Sequence, residues 1–366
     1  MDFIRCFALL NVVSIHFPLN VGFYNEIVSG WLMYLMVVFR TFTQCCVPLF
    51  LLLSGYLMRT RQPTRKYYSK IIKTVGIYIL SSLFCLLYRY IFLHESASLI
   101  GSVLDILCYA AAPYSWYIEM YLGLFLIIPF LNILYNNIGS KKEKQLLLLV
   151  FLILTALPSV MNIYRVADFG WWLHPSSSGG YTQIVPQWWI GIYPITYYFI
   201  GCYLSEYPIK IRIGWCGLAV LMVTFAAGTF GFYRSYGSRY IWGEWQEWPS
   251  LLVVIQSVLL FALFSNMNFN RLGSRTKSLL AKLSDWCLAA YLVSWIFEGF
   301  CYLVLERLQP NVQNRFFFMP IVVFTVYVCS LGLSAMINLI YQGVEKLFTR
   351  LIKGTRKNEK TVSQQT

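Results

Sequence analysis

Two ionisable side chains, Arg5 and His16, stand in the first apolar stretch of the chain, MDFIRCFALLNVVSIHFPLNVGF. Eleven residues are about three turns of α-helix, so the two share one helix face and lie about 16 Å apart along its axis. Ionisable groups in hydrocarbon cost about 2.5–3.5 kcal/mol each, and they persist where they face a cavity or a partner. Because the pKa of an imidazole lies near neutral pH, its unprotonated form can take a proton from a hydroxyl group. We therefore predict that His16 is a site residue.

The helices that must position these residues are apolar enough to enter a membrane. The chain has 366 residues, of which 58% are hydrophobic and only 12% are charged. A spanning helix needs about 20 mostly apolar residues, and such stretches recur along the chain. We predict an all-α integral membrane protein with about ten transmembrane helices. Their cores are 3–23, 31–58, 74–93, 116–136, 145–163, 188–206, 213–232, 248–266, 284–305 and 318–342.

The formal charge of +14 follows the predicted topology. Alternate loops, beginning with 59–73 and ending with the tail 343–366, hold 21 Lys and Arg residues, and the intervening loops hold 5. This asymmetry places both termini in the cytoplasm and requires an even number of spans. We divide the chain into a transmembrane domain, residues 1–342, and a basic cytoplasmic tail, residues 343–366. The basicity therefore gives no reason to expect a nucleic-acid partner.

The basic loop after the second span contains Lys70 and Lys73, one helical turn apart. Two ammonium groups at this spacing could bind one phosphate together, or they could serve only as a juxtamembrane stop signal. In the second span, Pro48, Ser54 and Gly55 mark either close helix packing or the approach of a ligand. The ten cysteines include no CxxC pair, and we infer neither a disulfide nor a metal site.

Several other polar or aromatic residues lie in or near the predicted spans. Glu298 lies at mid-membrane depth, where an ion pair with Arg5, Arg40 or Arg89 would balance its charge. Pro129 and Asn132 predict a kink or an end in the fourth span. The remaining candidates are Trp116 and Glu119, which are either a membrane anchor or substrate contacts at the start of the fourth span, and His94 and His174, which we expect to be solvated in outer loops.

Two outer loops concentrate aromatic residues. Residues 165–189 contain four Trp and residues 233–248 contain three, together with Glu244 and Glu247. Aromatic faces suit the apolar faces of sugar rings, and carboxylates accept hydrogen bonds from hydroxyl groups. An aromatic belt at the membrane interface would account for part of the pattern. The segment 94–115 between spans 3 and 4 suits an outer re-entrant or interfacial segment.

The order of these motifs resembles one family over almost the whole chain. Asp2-x-x-Arg5 is followed by His16, then by PLFLLLSGYLM, a basic YYSKIIK and SWYIEMYLGLFLIIPFLN. In this order the segments look like the membrane-bound acyltransferase-3 family, which includes polysaccharide O-acetyltransferases and intercellular-adhesion succinyltransferase-like proteins. The resemblance implies transfer of an acyl group, often acetyl from acetyl-CoA, across a membrane to a hydroxyl of a surface glycan.

The resemblance also implies roles for individual residues. His16 is then the catalytic imidazole, and Arg5 is its partner in the same motif. Lys70 and Lys73 stand where relatives have Arg-x-x-Arg, and with Arg65 they would bind acyl-CoA. Tyr291-Leu292-Val293-Ser294 stands in place of a Tyr-Leu-x-His motif, so a second histidine is absent. Trp116 and Glu119 would contact the acceptor.

We therefore expect an enzyme of the cell membrane that moves an acyl group, acetyl in the first instance, from acyl-CoA to an envelope polysaccharide or its lipid-linked precursor. Its partners would be this acceptor, acyl-CoA and membrane lipids, with no metal. His16 would act as a base or would itself carry the acyl group. The alternative is a transporter or flippase for a glycan or small solute, which fits the spans and charges but does not explain the motif order.

Overall fold

The computed structural model describes residues 1–96, 98–173 and 180–362, and the prediction for His174 lies outside these ranges. Helices and short turns make up this part of the chain, which contains no β-strand. The helices are α1 Asp2–Asn20, α2 Gly30–Thr43, α3 Cys46–Met58, α4 Arg65–Tyr68, α5 Ile71–Phe92, α6 Leu99–Leu107, α7 Trp116–Asn137, α8 Lys141–Thr155, α9 Pro158–Met161, α10 Phe169–Leu173, α11 Tyr193–Glu206, α12 Ile213–Ser235, α13 Leu251–Asn266, α14 Ser274–Leu308, α15 Val312–Arg315 and α16 Met319–Val362.

Eight helical segments of the described chain are long and apolar enough to cross a membrane, which confirms the all-α membrane fold. The predicted spans 145–163 and 188–206 are represented by α8 and α11, which have only 15 and 14 residues. Omitting this pair leaves an even number of spans. The eight segments are Asp2–Asn25, Gly30–Met58, Arg65–Phe92, Trp116–Asn137, Ile213–Ser235, Glu244–Asn266, Ser274–Leu308 and Val312–Leu347.

Helix α11 lies inside the bundle, against α3, and none of its residues is exposed. A Cβ atom added to Gly55 would lie 2.0 Å from the carbonyl oxygen of Tyr198, and one added to Gly201 would lie 2.1 Å from that of Leu52. Only glycine permits this approach of two backbones. Gly55 therefore serves helix packing, one of the two alternatives that the sequence left open.

Helices α8 and α11 are joined by polar side chains. The ammonium of Lys144 donates to both carboxylate oxygens of Glu206, at 2.8 and 2.9 Å, and Arg59 donates to the same carboxylate at 3.2 Å. Burial disfavours the charged carboxylate, but the hydrogen bond and charge of Lys144 outweigh it and keep the pKa of Glu206 below its ordinary value. At the other end of the pair, the hydroxyls of Thr155 and Thr196 lie 3.0 Å apart.

Helix α1 occupies the centre of the molecule. Most of its residues are buried, and it packs against α3, α14 and α16. The site residues on α1 are therefore surrounded by protein and not by lipid. Helix α16 continues without a break from the apolar segment to Val362, and the division of the chain at residue 342 stays a prediction.

The end predicted at Pro129 or Asn132 is not found, whereas the segment between spans 3 and 4 has the exposure predicted for it. Helix α7 runs through Pro129 and Asn132 to Asn137, so neither residue ends it. The amide nitrogen of Asn132 donates instead to the carbonyls of Met58 and Arg61, at 2.8 Å each. Its amide oxygen accepts from the hydroxyl of Tyr198 on α11. Between spans 3 and 4, α6 has no buried residue, as a segment at the membrane interface would have.

Candidate active site

The central feature of the site is a buried imidazole–carboxylate pair. Nδ1 of His16 lies 2.8 Å from Oε1 of Glu298, and the two side chains are 9% and 1% exposed. When Glu298 is ionised its carboxylate can only accept, and Nδ1 of His16 is then the donor. The other ring nitrogen, Nε2, is then the basic one. This arrangement is that of a general base oriented by an acid.

The second oxygen of Glu298 is also occupied. It accepts from the amide of Asn20 at 3.2 Å and from the hydroxyl of Tyr114 in a short hydrogen bond. The ring of Tyr114 stacks on the imidazole of His16 with centroids 3.8 Å apart and planes 19° apart. The hydroxyl of Tyr302, on the same helix as Glu298, is buried without a partner in the described chain. The carboxylate is therefore fixed from several elements at once.

The prediction that Glu298 pairs with an arginine was wrong. Nη1 of Arg5 donates to the hydroxyl of Ser284 at 2.7 Å and contacts Asp2 at 3.4 Å. Arg89 pairs with two carboxylates near the ends of α5 and α6, and Nε of Arg40 donates to a tyrosine hydroxyl. Arg5 does lie against α14, but at Ser284, fourteen residues before Glu298. Arg40 and Arg89 are bonded to other parts of the chain. Sequence spacing along one helix cannot reveal which of several helices lies opposite.

Helices α1 and α14 bring the pair together because they pack along much of their length. Arg5 meets Ser284 near one end of the contact, and His16 meets Glu298 eleven and fourteen residues further on. On α14, Ser294 stands one turn before Glu298, and its buried hydroxyl donates to the carbonyl of Tyr291. Position 294, where the resemblance implied a histidine, thus holds a serine that is bonded to its own helix, and the acidic partner Glu298 is one turn away.

A cavity of about 660 Å³ lies on the Arg5 side of this pair. Four cationic side chains line it: Arg5, Arg61, Lys70 and Lys73. Its lining holds a single carboxylate, Asp285, and its walls are otherwise mainly apolar and aromatic. The structure therefore brings Arg5, Lys70 and Lys73 together at one cavity, as three cations predicted for the site. Arg61 joins them, although its position in the sequence did not single it out.

Local contacts hold the basic loop at the cavity. Thr64 caps α4 by accepting from the backbone N–H of Tyr67 at 3.2 Å. The ring of Tyr67 stacks on Phe125 at 4.4 Å, and its hydroxyl donates to the Phe125 carbonyl at 2.7 Å. The amide of Asn132 holds the carbonyl of Arg61 in the same region. These bonds attach the loop to α7, so Lys70 and Lys73 are presented from a supported element.

The cavity stops short of the imidazole. Its deepest lining residues on α1 and α14 are Val12 and Tyr291, and neither His16 nor Tyr114 belongs to the lining. The hydroxyl of Tyr291 donates to the backbone carbonyl of Tyr114 at 2.5 Å. One helical turn thus separates the cavity from His16, and Tyr114 lies in the intervening layer.

Three predicted residues lie away from both the cavity and the pair. Arg65 is exposed at the start of α4 and does not line the cavity. Glu119 is exposed in the first turn of α7, and its side chain makes no hydrogen bond or ion pair within the described chain. Trp116 stacks on Trp248 at 4.7 Å, next to Tyr117, which does line the cavity. Roles for these three residues in binding remain predictions.

The outer aromatic loops are held by two buried arginines that sequence reasoning did not assign to them. The guanidinium of Arg234 lies 4.6 Å from the ring centroid of Trp245 and 4.9 Å from that of Trp171. The guanidinium of Arg40 lies 4.6 Å from the centroid of Trp242. Cation–π contacts of this kind stabilise each ring by about 0.5–2 kcal/mol. Much of the aromatic pattern therefore serves packing, whereas Trp188 remains 92% exposed.

Fold and site together define a polytopic membrane protein with a buried imidazole–carboxylate pair next to a cationic cavity. Comparison with known proteins agrees with this class: residues 1–334 match the acyltransferase-3 family, whose model is described as an acyltransferase domain. The chain therefore belongs to the acyltransferase-3 family and is a membrane acyltransferase. No curated protein and no solved structure matches it.

Proposed function

We propose that this acyltransferase transfers an acetyl group from acetyl-CoA to a hydroxyl of a cell-envelope polysaccharide or of its lipid-linked precursor. The observation that supports the proposal best is the hydrogen bond between His16 and Glu298, one helical turn beyond a cavity lined by four cations. Buried imidazole–carboxylate pairs also relay protons in transporters, so membership of an acyltransferase family is what favours covalent chemistry.

The donor site follows from the charges of the cavity. Coenzyme A carries phosphates at one end and its thioester at the end of a long, thin pantetheine arm. Arg5, Lys70 and Lys73 supply charge-assisted hydrogen bonds for the phosphates, and the apolar walls suit the arm. Because these cations lie near one end of α1 and His16 lies about 16 Å further along, an extended donor would direct its thioester towards the imidazole.

The chemistry needs one proton transfer and one bond exchange. Nε2 of His16 takes the proton of the acceptor hydroxyl as its oxygen forms a bond to the acyl carbon. The carbon–sulfur bond then breaks, and the imidazolium gives this proton to the thiolate of coenzyme A, which leaves as a thiol. Glu298 stabilises the imidazolium between these steps through Nδ1. A thioester is already activated, so a single imidazole is sufficient.

The acceptor would approach from the face opposite the cationic cavity. His16 lies beyond the middle of the membrane when counted from the basic end of α1. Exposed rings such as Trp188 and Trp189 on the outer loops are suited to stack on sugar faces. In a cell membrane whose outer face meets an envelope glycan, the basic loops would meet the donor in the cytoplasm and the outer loops would meet the acceptor.

The test compares surface glycans from a deletion strain that carries wild-type protein, His16→Ala or His94→Asn. His94 is exposed, has a positive φ of 54° that asparagine tolerates, and serves as the matched histidine control. We expect His16→Ala to abolish the acetyl mass on the glycan, with the protein still present in the membrane. Acetylation at the wild-type level in His16→Ala would disprove the assignment. Membranes supplied with labelled acetyl-CoA would show whether label reaches the same glycan.

A further inference from the structure

Tyr114 occupies a special position, between the donor cavity and the catalytic pair. It belongs to the non-helical segment that joins α6 to α7, one residue before the N-cap of α7. Its ring covers one face of the His16 imidazole, and its hydroxyl donates to Glu298. Its carbonyl accepts from Tyr291, a residue of the cavity wall. One side chain thus contacts both members of the pair and adjoins the wall that ends the cavity.

This position matters because a hydrated donor cavity brings water close to a base that can activate it. Water is a smaller nucleophile than a saccharide hydroxyl, and an imidazole that deprotonates one can deprotonate the other. Closed active sites prevent such hydrolysis by excluding water. In this structure the side chain of His16 is only 9% exposed, and the stacked ring of Tyr114 contributes to that burial.

We propose that Tyr114 is the specificity-determining residue that shields the His16–Glu298 pair from water, so that the acyl group passes to an alcohol and is not hydrolysed. The inference rests on the proposed function. The ring leaves the imidazole when the thioester takes its place, and the substrate then excludes water itself. Because Tyr114 precedes α7 and makes no bond of that helix, its displacement requires no helix to break.

The reaction that Tyr114 suppresses is hydrolysis of the donor. Water gives a proton to Nε2 of His16 while its oxygen bonds to the acyl carbon, the carbon–sulfur bond breaks, and the thiolate is protonated by the imidazolium. The products are acetate and coenzyme A with a free thiol. This reaction needs no acceptor, so it can be measured with acetyl-CoA alone.

The experiment measures release of the free thiol from acetyl-CoA by purified protein without acceptor. We expect Tyr114→Ala to raise the rate at least about tenfold over wild type because water then reaches the pair. Tyr114→Phe, which loses the hydrogen bond to Glu298 but keeps the ring, should release thiol far more slowly than Tyr114→Ala. The double variant His16→Ala with Tyr114→Ala should return to background. A wild-type rate in Tyr114→Ala, or an equal rise in the His16→Ala background, would overturn the proposal.

A second measurement separates this proposal from the proposed function. Diethyl pyrocarbonate carbethoxylates accessible imidazoles, and mass spectrometry resolves the His16 peptide from that of exposed His94. We expect faster modification of His16 in Tyr114→Ala, unchanged modification in Tyr114→Phe, and a constant rate at His94. If acetyl-CoA is inert with every variant, the donor assignment fails, and the labelling alone then tests whether Tyr114 shields His16. A His16 labelling rate that is the same in Tyr114→Ala as in wild type refutes the shielding. Should Tyr114→Ala not fold, Tyr114→Leu removes the aromatic ring and keeps apolar bulk.

Discussion

Replacement of Glu298 by glutamine tests the role of the carboxylate with almost no change of shape. The amide oxygen can still accept from Nδ1 of His16, so the ring keeps its orientation. The negative charge is lost, however, and the amide nitrogen now faces Asn20 and Tyr114, which both donate to this position in the wild-type protein. Tyr114 can turn its hydroxyl to accept, whereas Nδ2 of Asn20, which also donates to the carbonyl of His16, can only donate.

The expected loss of transition-state stabilisation follows from the kind of contact, a hydrogen bond of 2.8 Å between His16 and a charged carboxylate. A hydrogen bond to a charged group contributes about 1.5–3 kcal/mol, against about 0.5–1.5 kcal/mol for a neutral one. For comparison, two unit charges 4 Å apart attract by about 4 kcal/mol at an effective dielectric constant of 20, and the charged hydrogen bond already includes part of this attraction. A loss of about 2.7 kcal/mol, within these bounds, corresponds to a hundredfold lower kcat.

The assay is transfer of labelled acetyl from acetyl-CoA to envelope glycan in membranes that contain equal amounts of wild-type or Glu298→Gln protein. We expect kcat to fall about a hundredfold. KM for acetyl-CoA should be unchanged, because Glu298 does not line the donor cavity. A kcat within threefold of wild type would refute the idea that the carboxylate stabilises a charged imidazole. A raised KM with unchanged kcat would place Glu298 in donor binding instead.

Two further predictions concern the donor cavity and the helix packing. Replacing both Lys70 and Lys73 by alanine should weaken acetyl-CoA binding about 10–100-fold by calorimetry, since each can form a charge-assisted hydrogen bond, while Lys66→Ala, outside the cavity lining, should bind as wild type does. Equal affinities would remove the two lysines from the donor site. Gly55→Ala should lower the free energy of unfolding of the purified protein by about 1–3 kcal/mol, seen as a lower melting temperature, because its Cβ would meet a backbone oxygen at 2.0 Å. Gly123→Ala, with no atom within 4 Å, should be neutral or stabilising by up to about 1 kcal/mol, and equal losses in both variants would contradict the packing argument.

The sequence was sufficient for the membrane fold and for the cationic side of the site. Apolar stretches of about 20 residues form helices in a bilayer because every backbone polar group must be bonded within its own segment. The spacing of Lys70 and Lys73 placed both at one cavity because a helical turn is a local property. The sequence predicted α8 and α11 as spans of ordinary length because hydropathy does not distinguish a helix that is buried against protein, as α11 is, from one that crosses the membrane.

Cross-helix relations were out of reach of the sequence. An intramembrane Glu298 signals a partner, and the sequence offered three arginines on other spans. Only the packing of α1 on α14 selects His16 instead. Tyr114 gave no signal, since a tyrosine before a span is usually an interfacial anchor. The arginines that hold the outer aromatic loops were hidden in the same way.

By itself, the sequence determined an all-α membrane protein with the motif order of an acyltransferase, an imidazole inside the first helix and a basic face. The tertiary structure decided which carboxylate orients that imidazole, which cations share one cavity and which ring covers the pair. The physical reason is that periodicity and hydropathy are properties of one helix, whereas the contacts of a buried side chain depend on the rotation and depth of every helix around it.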